Sequence, residues 1–110
     1  MAKTVEDAIA VHKTEIVFYD KIEERHYRLN TGNITKILFD YQVRSLFFGL
    51  KKELVERIVF YINDPDIPEV LEVWEHKEPN FRRFRGGLRT FVDDNSVALE
   101  IYDAEGNLQK

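Results

Sequence analysis

Cysteine is absent from the 110-residue sequence. Its absence removes disulfides, thiolate metal sites, iron–sulfur clusters and cysteine nucleophiles together, and it suits a reducing compartment. Proline and glycine are scarce, at three and five, which places the chain outside the compositional range of disordered polymers. No apolar run approaches the length of a membrane span, and residues 1–10 lack a basic stretch followed by an apolar one, so neither insertion nor secretion is expected. Positive charge is also in deficit: 16 Lys and Arg against 20 Asp and Glu leave a net charge of −4. A surface of that sign repels phosphates and argues against nucleic acid as a partner. The sequence carries no Gly-x-Ser-x-Gly elbow, no Walker loop, no dinucleotide fingerprint and no His-Glu-x-x-His pair.

What is there is the composition of one globular domain, 44% hydrophobic and 33% charged. A chain of this size buries roughly 60% or more of its unfolded surface and needs no covalent staple. Residues 1–7 read as a polar tail in which Thr4 could cap a short helical turn. Residues 8–102 read as the domain, and residues 103–110 as a polar C-terminal tail. Residues 8–20, rich in β-branched and aromatic side chains, fit two short strands parted by Lys13-Thr14. Residues 24–29 alternate, with Arg25, Tyr27 and Leu29 on one face, and residues 30–33 supply turn chemistry. Strands are expected at 34–41, 45–50, 56–62 and 70–76, with residues 51–54 as a connection and the proline-bearing residues 63–68 as a loop. Pro79 suits the first position of a helix, and Phe81, Phe84, Leu88, Phe91 and Val92 form one apolar stripe along it. Asn95 can end that helix, and Val97, Leu99 and Ile101 alternate as a last strand.

The early strand Ala8-Ile9-Ala10-Val11 to Tyr19, the polar turn into Ile34 and Ile37, the further strands and the closing helix together resemble a bacterial pleckstrin-homology or GRAM-type domain across residues 8–95. The resemblance implies an α+β fold, a bent and mostly antiparallel sheet forming a partly open barrel, capped by one C-terminal helix. The strand after the helix departs from that pattern and leaves other α+β arrangements open, including a simple sheet with one face covered by the helix.

Three features carry candidate chemistry. Residues 79–92 hold Arg82, Arg83, Arg85 and Arg89 and no acid, so this segment is +4 and the remainder −8. Arg82, Arg85 and Arg89 fall at i, i+3 and i+7 and could clamp an anion, although pairing with Glu72, Glu75 or Glu78 is the plainer reading. Gly86 and Gly87 each cost a helix about 1 kcal/mol relative to alanine. Close packing on the sheet is the expected reason, and a helix break exposing N–H groups beside the arginines is the alternative. In Leu46-Phe47-Phe48-Gly49-Leu50-Lys51-Lys52, a strand would put Leu46, Phe48 and Leu50 into the core, which is the preferred reading. On a loop, Phe47 and Phe48 would instead form a wedge for a membrane or partner, with Lys51 and Lys52 meeting anionic headgroups.

His12, His26 and His76 show no metal-ligand spacing, and neither Asp64-Pro65-Asp66 nor Asp93-Asp94-Asn95 continues into a calcium loop. No catalytic residue, metal or cofactor is assigned, and Trp74 reads as a sheet-face anchor. The expectation is a non-enzymatic, cytoplasmic binding domain for a protein partner or a second copy of itself. Peripheral binding to lipid headgroups of an anionic membrane, and a small enzyme with a histidine–carboxylate pocket, are the alternatives.

Overall fold

Two sheets follow from the alternating segments. The structure, a computed structural model, describes residues 2–4, 9–20 and 23–109. Strands β2 (Ile9–Val11), β3 (Glu15–Asp20) and β4 (Arg25–Asn30) make a three-stranded antiparallel sheet. Ile16 and Phe18 of β3 and Tyr27 and Leu29 of β4 are buried, as the period-two pattern requires. The turn after β4, Thr31–Asn33, is 3-10 in form and contains no positive φ, so it does not use the left-handed freedom of Gly32.

The second sheet is built on β5 (Ile34–Leu46) and β6 (Lys51–Ile62), with β7 (Val70–Trp74) antiparallel to β6. Its outermost strands are β1 (Ala2–Thr4), parallel to β7, and β8 (Leu99–Ile101), parallel to β5. Its order is therefore β1-β7-β6-β5-β8. Two sequence expectations are corrected. The strand from Ile34 does not stop at Tyr41 but runs on to Leu46, because Gln42, Val43, Arg44 and Ser45 keep pairing, opposite Val55, Leu54, Glu53 and Lys52. The reversal accordingly falls at Phe47–Gly49 and not at residues 51–54. Residues 2–4, expected in a polar tail with a helical turn, form a strand, while residues 5–8 lie outside the described ones. At the other end, Tyr102 bridges Leu108, and the Asp103 carboxylate accepts the backbone N–H groups of Glu105 and Asn107, closing the polar tail into a turn.

The single α-helix among the described residues, α1 (Phe81–Asn95), begins two residues after Pro79 and buries the five apolar side chains expected of its stripe. Glu78 accepts the N–H of Asn80 at its entry. It ends at Ser96, whose φ of 54° is left-handed, one residue beyond the expected Asn95. The Asn95 amide instead donates to the carbonyls of Phe91 and Lys13, tying the helix end to the β2–β3 turn. The core joins both sheets and the helix: the rings of Phe18, Phe60 and Phe84 lie 5.1–6.1 Å apart, each from a different layer. The result is an α+β fold, a mostly antiparallel sheet closed by one helix, with no closed barrel.

Neither expected reason for Gly86 and Gly87 holds. The helix passes through both without a break, so no anion-binding nest forms there. A Cβ at Gly86 would meet nothing within 4 Å, and one at Gly87 would touch Val11 at 3.7 Å, an ordinary contact, so packing does not demand glycine at either position.

Candidate interaction surface

The long β5–β6 hairpin outruns the sheet that carries it. β8 covers β5 only at Ile37–Phe39, and β7 covers β6 only at Arg57–Tyr61. Beyond those points the two strands continue as a two-stranded arm to which no further strand pairs among the described residues. The face that is core at Phe39 and Ile58 continues outward through Tyr41 and Glu56 to the directly opposed pair Val43 and Leu54, which are 63% and 46% exposed. Arg44 and Glu53, opposed on the other face, form an ion pair at 2.7 Å that holds the ribbon in register.

The tip of the arm is apolar and outward-facing. Phe47 is 68% exposed, Phe48 108% and Leu50 89%, so the expectation that Phe48 and Leu50 join the core is overturned. The cause is the backbone: Phe47 (φ 52°) and Phe48 (φ 56°) are both left-handed and are followed by Gly49 at φ 88°. Left-handed geometry suits the glycine, but it strains each phenylalanine by about 1–2 kcal/mol. It breaks the alternation that would have turned these rings inward. Burying each of the three side chains on contact is worth about 1.5–3 kcal/mol, so the tip can repay that strain only when something covers it. Lys51 and Lys52 follow immediately, both exposed and without an ion-pair partner among the described residues.

The arginine face of α1 is partly committed to the protein's own acids. Arg85 lies 3.4 Å from Glu56 at the root of the arm, close enough for an ion pair but without hydrogen-bond geometry, and its guanidinium sits 5.5 Å from the centre of the Phe39 ring. Arg82 approaches Glu75 at 3.9 Å. Arg89 is exposed and, like Arg83, has no ion-pair partner among the described residues. Of the three residues placed on one face by their spacing, two are thus engaged. Glu72 is engaged by Arg57, not by the helix.

The sheet face turned away from α1 carries paired charges beside the buried Leu38, Val55 and Val59. Arg57 donates through Nε and Nη2 to both oxygens of Asp40, at 3.0 and 2.6 Å, and through Nη1 to Glu72 at 2.7 Å. It also stacks 5.4 Å from the centre of the Trp74 ring. The hydrogen bonds to Asp40 lead in raising its pKa above the ordinary value. An open cleft of about 350 Å³ on this face includes Lys36, Asp40, Tyr61, Glu100 and Tyr102. Its polar groups serve one another: Lys36 Nζ is 3.3 Å from Glu100, the Tyr102 hydroxyl donates to Glu100, and the Gln42 amide donates to Asp40. His12, His26 and His76 are exposed on three separate segments, and His26 packs against Tyr19. No group of three or more metal-ligating side chains occurs among the described residues.

Searches against protein-family models, curated proteins and solved structures return no match.

Proposed function

We propose that this chain is a non-enzymatic interaction domain whose contact element is the β5–β6 arm. The observation that carries the reading is the tip: Phe47, Phe48 and Leu50 are all displayed to solvent, on a strained backbone, at the end of a ribbon that extends past the strands paired to it. Natural domains rarely combine strain with exposed apolar surface unless contact requires it. Binding is favoured over catalysis because the three histidines stand apart and the carboxylates of the outer cleft are held by Arg57 and Lys36. An anion site on α1 is the weaker reading, since Arg82 and Arg85 face Glu75 and Glu56. The pleckstrin-homology or GRAM resemblance remains part of this proposal, supported by two antiparallel strand sets followed by a helix.

A Phe48→Trp variant tests the assignment. The new indole is expected to be fully open to acrylamide quenching in the isolated protein. It should become protected in at least one of three settings: lipid vesicles, a cell extract, or the protein itself at high concentration. An indole that stays equally quenchable in all three sinks the arm as contact element.

A further inference from the structure

Resting on the arm as contact element, we infer that its tip is a wedge for the headgroup–acyl boundary of an anionic membrane. Four observations lead there. Leu46 to Leu50 contains no polar side chain, and its three exposed members stand at the reversal of the hairpin, each more than two-thirds open to solvent. The apolar end is collared at once by cations: Arg44, Lys51 and Lys52 stand against one acid, Glu53, already bound to Arg44, so residues 43–54 carry +2 on a chain of −4. An apolar end with lysines one and two residues behind it matches, in order and depth, acyl chains below anionic headgroups. Finally, the arm removes the main objection to a membrane partner. From Asp40 to Leu46 the strand covers roughly 20 Å, whereas charges are screened over about 8 Å at physiological salt. The acidic body is therefore held outside the field that the membrane feels.

A second copy of the chain fits the tip less well. Two tips packed together would oppose Lys51 and Lys52 to their own counterparts. Three side chains offer roughly 500 Å², short of the roughly 800 Å² per partner that a stable dimer uses. Val43 and Leu54 lie four residues behind the tip, roughly 13 Å back along the strands, and Ser45 and Lys52 intervene on the same face. In the membrane-bound state that pair stays outside the bilayer.

The test is flotation of the intact chain with phosphatidylcholine vesicles, with and without phosphatidylserine, at low and high salt. Binding is expected only with phosphatidylserine and should weaken as salt rises. The double variant Phe47→Asn with Phe48→Gly is the decisive one, because it relieves the left-handed strain, keeps the fold and removes two of the three apolar side chains. It should lose binding by at least about tenfold. Lys51→Gln and Lys52→Gln should each cost about fivefold, while Leu54→Thr and Arg89→Ala should leave binding unchanged. Fluorescence of the Phe48→Trp variant should shift to the blue on vesicles and be quenched by shallow nitroxide-labelled lipid. Absence of binding to phosphatidylserine at low salt, or equal binding by the Phe47→Asn, Phe48→Gly protein, overturns the wedge. If the indole of the Phe48→Trp variant is protected instead by cell extract, or by self-association that Leu54→Thr abolishes, the membrane falls while the arm stands. If nothing protects it, both fall.

Discussion

Arg57 satisfies two carboxylates and stacks on an indole from the middle of the outer sheet face. Removing it leaves Asp40 and Glu72 half-buried and unpaired by it. Arg57→Met should therefore destabilise the domain by about 2 kcal/mol in urea titrations, less than the roughly 3–5 kcal/mol of a fully buried pair because the site is partly wet. Arg57→Lys should recover only part of this, since an ammonium cannot reproduce the fork to Asp40. Gly86 has the opposite sign. It sits in an unbroken helix with open space where a Cβ would go. Gly86→Ala should stabilise by about 1 kcal/mol and raise the melting temperature by roughly 4–8 °C for a domain of this size. Tyr102 provides a pH signature. Desolvation first, then its hydrogen bond to Glu100, raises its pKa above 10.0. A raised folded-state pKa means that its contribution is complete below the unfolded value and is lost as pH climbs through the folded one. Ultraviolet titration of the native protein should contain a late-ionising component that Tyr102→Phe diminishes.

At the scale of elements, the arm is the part that the sheet does not brace. A lone two-stranded ribbon is marginal in water, so amide hydrogen exchange should be fast at residues 43–54 and slow at Ile58 and Phe60, which lie between β5 and β7. Equal protection along β6 would show that the arm is braced by something else. The same element marks where sequence reading succeeds and where it fails. Periodicity exposes β3, β4 and α1 because in each the buried side chains repeat at the period of the backbone, while β6 is legible as a run of β-branched and aromatic residues buried on both faces. The tip obeys no such rule. A turn is ordinarily signalled by Asn, Asp, Gly or Pro, and here only Gly49 does so, while Phe47 and Phe48 occupy left-handed positions that bulky residues rarely take. A run of apolar side chains therefore reads as core. The visible warning is the run's abrupt end in Lys51-Lys52, a poor continuation for a buried strand. The helix arginines fail for a different reason: their shared face is legible in their spacing, but the acids that meet them, Glu56 and Glu75, come from strands whose register no local pattern reveals.

For the molecule as a whole, one aromatic cluster and two outermost strands decide how the layers cohere. Phe18, Phe60 and Phe84 lock the small sheet, the large sheet and the helix around one centre. The edges of the large sheet are supplied by segments far apart in the chain. β1 runs beside β7, and β8 beside β5, pairing Ile37 with Leu99 across most of the sequence. This arrangement has a kinetic consequence. The β3–β4 and β5–β6 hairpins close over short loops and can form early, whereas docking β8 requires a loop that already contains β6, β7 and α1. Conservative truncation at Leu99 should consequently speed unfolding and leave the folding rate nearly unchanged in stopped-flow chevrons, while Ile58→Val should slow folding. Such a chain would assemble its interior first and seal its margin last, leaving the β5 edge briefly unguarded in every molecule that folds.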